Sequence, residues 1–196
     1  MNFLDELWAD IKRIFSSAPA AEPVSTCREG ALTADQAQEW FDKFKSRSDI
    51  PWNYPNDCCY NRAHVMAQAL NAAEVDVGKV WNYAADPDKA LRVATANDPK
   101  GYVEWGYHVA PTVQVVGKDG KTSPMVIDPS IATAPITPAQ WKALQSQPES
   151  SLVLTSAKPY YRAEDGRVAA TPDNAEVQAI FDQHRMARAA NFPLSK

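Results

Sequence analysis

The sequence predicts an α+β domain in which a central helix carrying Cys59 packs on an antiparallel sheet. Three observations carry this. Apolar residues recur at helical spacing over residues 33–46 and 59–73. Alternating runs flank the turn signal Lys118-Asp119-Gly120-Lys121, and helical spacing returns after Thr171-Pro172-Asp173. The 196 residues suit one core, and 45% hydrophobic with 22% charged content is that of a globular protein. A net charge of −4 argues against nucleic acid or an anionic membrane as the main partner. No stretch is long and apolar enough to form a transmembrane segment.

The elements follow in order. Phe3, Leu4, Leu7, Trp8, Ile11, Ile14 and Phe15 recur at helical spacing, with Asp5, Glu6 and Asp10 among them. They predict an amphipathic helix docked on the domain, or a docking segment for a chaperone or export apparatus. A helix lying in a membrane interface is the weakest of the three readings, given the acidic residues. The segment lacks the basic region and apolar run of a secretory signal, so the expected location is the producing cell's cytoplasm or a signal-independent export route. Ser16 to Val24 reads as a linker, so residues 1–25 are helix and linker, and 26–196 form the domain.

Thr33 with Gln36 resembles a capping box, and Ala37, Trp40, Phe41 and Phe44 make one apolar stripe, which predicts a helix from Thr33 to Ser46. Two prolines in Ile50 to Pro55 predict a loop. The next helix runs from Cys59 to Ala73, with Asn56 or Asp57 as candidate cap. Strands are expected at Val77–Tyr83, Tyr107–Val116 and Ser123–Ile127, with a polar connection before the second. Thr137-Pro138 opens a short helix through Trp141 and Leu144. Leu152–Leu154 and Tyr160–Arg162 are short strands, and a final helix reaches Ala190.

Candidate chemistry starts from the three cysteines, Cys27, Cys58 and Cys59. An odd count gives no closed disulfide framework, and a Cys27–Cys58 bridge would leave Cys59 free. Neither a metal nor a cofactor is expected, because three histidines without paired ligand spacing do not make a zinc site. Cys59 falls at a helix start, where unpaired N–H groups and the positive end of the dipole favour a thiolate. The alternative is an inert buried thiol. Of the histidines, His64 lies five residues along the same helix and points about 140° away from Cys59. His184 sits late in the last helix, where a solvated histidine is unremarkable. His108 remains, at the start of a strand beside Trp105 and Tyr107.

The hairpin links His108 to Asp128. A three-residue Lys118-Asp119-Gly120 loop, with Gly120 left-handed, puts Asp128 opposite Ala110 and on the face of His108. A two-residue Asp119-Gly120 turn puts it opposite Pro111, on the other face. Asp128 is then either the carboxylate that orients the imidazole or an Asp-Pro turn residue.

Taken in order, Cys59-Tyr60-Asn61-Arg62-Ala63-His64, Trp105-Gly106-Tyr107-His108-Val109-Ala110 and Ile127-Asp128-Pro129-Ser130 resemble the bacterial protein-glutaminase (protein glutamine deamidase) family. Lys79, Thr137 with Trp141, and Tyr160-Tyr161-Arg162 also fit. The resemblance spans roughly residues 57–162 and implies a papain- and transglutaminase-like core. It makes Cys59 the nucleophile, His108 the general base and acid, and Asp128 the orienting carboxylate. Two positions depart from it: Cys58 stands where glycine is expected and Asn61 where alanine is expected.

The resemblance implies deamidation of glutamine side chains in protein substrates through a thioester, with release of ammonia. Trp105, Tyr107 and Trp81 are candidates either for the cleft wall that holds the glutamine or for core aromatics. Arg62 either forms a structural salt bridge or binds a substrate carboxylate. Competing readings are a transglutaminase or cysteine peptidase on the same core, or an inactive binding domain. A bacterial effector delivered to another cell, with an immunity or chaperone protein as partner, is a further expectation.

Overall fold

Thr33 begins the first helix by accepting a hydrogen bond from the Gln36 N–H, while the Gln36 side chain accepts from the Thr33 N–H. This is the capping box read from the sequence, and helix α1 spans Ala34–Lys45 with Ala37, Trp40, Phe41 and Phe44 buried. The computed structural model describes residues 29–86, 88–96 and 98–191. The amphipathic segment, the linker and Cys27 therefore lie outside the described residues.

Helix α2, Cys59–Ala72, is buried on nearly every side rather than along one stripe. It is covered by the sheet on one side and by α1 and the last helix on the other. Its polar residues therefore need partners inside the protein. Asn61, one of the two departures from the family pattern, has them: its amide donates to the Val177 carbonyl at 3.2 Å, and its oxygen accepts from the Tyr160 hydroxyl. Asn61→Ala would strand both partners, and we expect it to lower stability by about 2 kcal/mol. Urea unfolding measures this; a midpoint unchanged from the parent would show that the bonds contribute nothing.

The main sheet has the order β5-β4-β1-β6 and is antiparallel throughout. Its strands are β1 (Val77–Tyr83), β4 (Tyr107–Val116), β5 (Thr122–Val126) and β6 (Ser151–Ser156). Between β1 and β4, the segment read as a polar connection folds into its own hairpin, β2 (Leu91–Ala94) with β3 (Tyr102–Trp105). Leu91, Val93, Val103 and Trp105 point inward from it, a two-residue alternation too short to stand out in the sequence.

The β4–β5 connection decides where Asp128 lies. Gly117 N–H donates to the Lys121 carbonyl at 2.7 Å, leaving residues 118–120 as the loop, with Gly120 at φ +76°. Thr112 then faces Val126, and the Ile127 N–H donates to the Pro111 carbonyl at 3.0 Å. This is the register of the three-residue loop, and it carries Asp128 to the level of Ala110.

Helix α3 (Pro138–Ala143) follows, capped by Thr137 and Gln140 in a second capping box. Then comes the short pair β7 (Tyr161–Arg162) and β8 (Val168–Ala169). Helix α4, Asn174–Asn191, starts with reciprocal bonds between Asp173 and Glu176 and buries Val177 and Phe181. No described helix is long and apolar enough to cross a membrane.

Candidate active site

Cys59 is the first residue of α2, and neither Asn56 nor Asp57 caps that helix through its side chain. Cys58 occupies the cap position at φ 73° and ψ 17°, the left-handed conformation that glycine adopts without a Cβ penalty. The Asp57 carboxylate instead accepts the Cys58 N–H at 2.6 Å, which fixes the turn into the helix. The first bond of the helix ladder runs from Arg62 N–H to the Cys58 carbonyl at 3.1 Å. The N–H groups of Cys59, Tyr60 and Asn61 thus have no acceptor within the helix.

Cys58 does not crowd the site. Its thiol is buried in the large core with Ile50 and Met66, whereas Cys59 packs in a separate cluster with Ala63, Trp81, Tyr83 and Val109. Burial pushes the Cys58 thiol up to about 12, so it stays protonated.

Arg62 shows a third arrangement among the described residues, neither a salt bridge nor an exposed substrate contact. It is buried and forms no ion pair among the described residues. Its Nη1 donates to the backbone carbonyls of Tyr54, at 3.3 Å, and Asp57, at 2.9 Å. Side chains in a first helical turn lean toward the N-terminus, and here that direction leads onto the loop that delivers Cys59.

His108 is buried on β4 between two indoles. The Trp105 ring stacks on it at 4.5 Å and 8°, and the Trp141 ring at 5.2 Å and 19°. Its Nε2–H donates to Asp128 Oδ2 at 2.9 Å, and the Trp141 Nε1–H donates to the same oxygen at 2.8 Å. Asp128 Oδ1 accepts from the Ser130 N–H at 3.1 Å and from the Ser130 hydroxyl. Four donors thus hold a carboxylate that is itself buried.

The electrostatics follow from this geometry. Burial opposes a charged imidazole, but the Asp128 carboxylate, its hydrogen bond and the neighbouring Cys59 outweigh it, and His108 rises to about 9. For Asp128, burial opposes ionisation, and His108, Ser130 and Trp141 outweigh it, holding the carboxyl well below the usual range. With Nε2–H committed to Asp128, His108 Nδ1 is buried with no partner in strict hydrogen-bond geometry, and the Cys59 thiol is near enough to favour the charged ring through both hydrogen bonding and charge.

The other histidines have different surroundings. His64 is buried edge-on to Tyr160 at 5.1 Å, and burial first, then the nearby Lys79 charge, lower it to about 4. His184 is half-buried against Tyr54, with ring centroids 5.4 Å apart, rather than solvated.

Of the three aromatics expected around a substrate, Trp81 is fully buried and donates to Thr155 Oγ1 at 3.1 Å, so it underlies Cys59 as core. Trp105 is spent on His108 and on the Pro55 carbonyl, to which it donates at 2.9 Å. Tyr107 is half-buried beside Cys59. Tyr60 and Tyr161 share that exposure, and Tyr161 meets Tyr107 edge-on at 5.5 Å. The sequence reading missed the Trp141–Asp128 bond, and it named Tyr161 within a motif without placing it at the site. The Asp-Pro-Ser spacing did contain a signal for Ser130, because an Asp side chain readily accepts from the backbone two residues on.

The structure is similar to a crystal structure of protein-glutaminase, with 24% identity and TM-score 0.66, over 81% of this chain and 91% of that one. It is also similar to the NMR structure of protein-glutaminase from Chryseobacterium proteolyticum, with 22% identity and TM-score 0.69, over 85% and 94% of the two chains. A third likeness is to a crystal structure of pro-protein-glutaminase, with 23% identity and TM-score 0.68, over 93% of this chain and 68% of that one. At these identities the likenesses show the fold, which is papain-like. No curated protein matches. The glutamine-deamidase family model described as Glutaminase matches residues 37–145, more than half of the chain, and the protein belongs to this protein-glutaminase family of enzymes.

Proposed function

We propose that the protein deamidates glutamine side chains of protein substrates, with Cys59 as nucleophile, His108 as base and acid, and Asp128 as the group that orients His108. One observation carries this reading: a buried imidazole, held by Asp128 through Nε2, interacts with the thiol of a cysteine at the start of a buried helix. The carboxylate holds one ring proton on Nε2, so Nδ1 is the atom that takes the thiol proton, and the imidazolium so formed beside the sulfur is the acid that ammonia departure needs.

The Cys59 sulfur attacks the side-chain amide carbon, and a C–S bond forms as the carbonyl π pair moves to oxygen. The unpaired N–H groups at the start of α2 are the donors available to that oxyanion. As the intermediate collapses, the C–N bond breaks and His108 gives its proton to nitrogen, which leaves as ammonia. Water then gives a proton to His108 and its oxygen to the thioester carbon, and the sulfur departs. Glutamine and water become glutamate and ammonia.

The same three groups also serve peptidases and transglutaminases, so the product decides. Incubation with a glutamine peptide and a primary amine should give ammonia and a glutamate-containing peptide of unbroken backbone. Peptide fragments or amine incorporation would replace this reading with one of the other two.

The pH profile tests the pair independently. His108 is raised above its ordinary value, so its protonated form, and the stability it contributes with Asp128, is fully present below about 6.5. Both are lost as pH rises through about 9. Because the protonated ring is the acid that lets ammonia leave, ammonia release should hold to near pH 9 and fall above it. An alkaline limb centred near an unperturbed histidine would show that Asp128 does not hold the ring during turnover. Delivery as an effector, and the neutralising partner it would need, rest on residues outside those described; co-purification from the native cell tests both.

A further inference from the structure

Arg162 lies on β7 beside the aromatic residues that border Cys59. Its Nη1 donates to the Tyr83 hydroxyl at 3.2 Å and to the carbonyls of Ala163 and Glu164 at 3.1 and 3.5 Å. The Tyr83 hydroxyl in turn donates to the Arg162 carbonyl at 2.9 Å. Gly166 lies beside the guanidinium, where a Cβ would make ordinary contact with Nη2 at 3.5 Å. The group is thus braced, and every acceptor it uses is neutral. Among the described residues it forms no ion pair; the adjacent Asp165 feels the Arg162 charge but pairs with Arg167 at 2.7 Å, on the surface.

A half-buried guanidinium fixed through one nitrogen, with Nε and Nη2 bonded to no described residue, presents a planar fork matched to a carboxylate. Its distance from the chemistry is set by one aromatic layer. Tyr83 and Tyr107 pack in the Cys59 cluster with ring centroids 6.3 Å apart, and Arg162 is bonded to Tyr83. One or two residues of extended peptide span about 3–7 Å. A side chain that close to the target glutamine can reach the fork.

We propose that Arg162 is a specificity determinant that receives the carboxylate of a Glu or Asp lying one or two residues from the target glutamine. This rests on the deamidase reading above. A purely structural brace of the β7–β8 turn would not distinguish one neighbouring residue from another.

The test uses peptides blocked at both ends, each with a single glutamine, carrying Glu, Ala or Lys at each position one or two residues away. Ammonia release gives kcat/KM for each. In the unchanged protein we expect at least one Glu position to exceed its Ala counterpart by about tenfold, chiefly through KM, with Lys lowest. Arg162→Gln should bring the Glu-to-Ala ratio to about one, and Arg162→Lys should retain part of it. The ratio is internal to each variant, so partial loss of folded protein does not blur it. Equal rates for Glu and Ala at every position, or a preference that survives Arg162→Gln, overturn the assignment while leaving the deamidase reading intact. No ammonia from any peptide would remove both.

Discussion

Cys59→Ala is expected to abolish ammonia release from glutamine peptides, by roughly four to six orders of magnitude in kcat. Of the two described cysteines, Cys59 is the one on the side of His108, because Cys58 faces the other core and is pushed up to about 12. The fold should tolerate the change. Cys59 packs against Ala63, Trp81 and Val109, and losing one sulfur there costs about 1 kcal/mol. Thermal unfolding beside the kinetics separates the two effects. A folded Cys59→Ala protein that still released ammonia would show that the nucleophile lies elsewhere. Alkylation gives an orthogonal view: the peptide bearing residues 58 and 59 should be modified once, at Cys59, and not in the Ala variant.

Asp128→Asn should cost about 10⁴-fold in kcat and destabilise the protein by about 2 kcal/mol. The carboxylate accepts from His108, Trp141 and Ser130, all of them donors. An amide offers only one oxygen, so its NH2 must face donors wherever it points, and a buried N–H is left without a partner. The alkaline limb near pH 9 should move down as well, because the carboxylate that raises His108 is gone. Loss of stability without loss of kcat would reduce Asp128 to a strand-ending residue.

Much of the arrangement was legible in the sequence because it is local. The capping pair Thr33 and Gln36 marked one helix and Pro138 at a first helical position marked another, since both signals act within a single turn and need no tertiary help. The turn signal at residues 118–121 limited the hairpin to two registers, and the structure adopts the three-residue one, which alone brings Asp128 to the face of His108. The β2–β3 hairpin escaped notice because each strand offers only two inward residues among charged neighbours. Asp57 escaped as a misplaced cap, because Cys58 adopts a backbone conformation that sequence favours only for glycine.

The sequence by itself determined the α+β class and the helix that begins at Cys59, and it narrowed the hairpin to two registers, of which the folded turn selects the one that aligns His108 with Asp128. Those depend on periodicity and on bonds between near neighbours. The tertiary structure decided what surrounds them: Trp141 on Asp128, Arg62 on its loop carbonyls, Trp81 beneath Cys59 and Arg162 at the tyrosine rim. Each of these is a partnership fixed by burial, where a polar group must take whichever acceptor the packing supplies, and nothing along the chain records which one that will be.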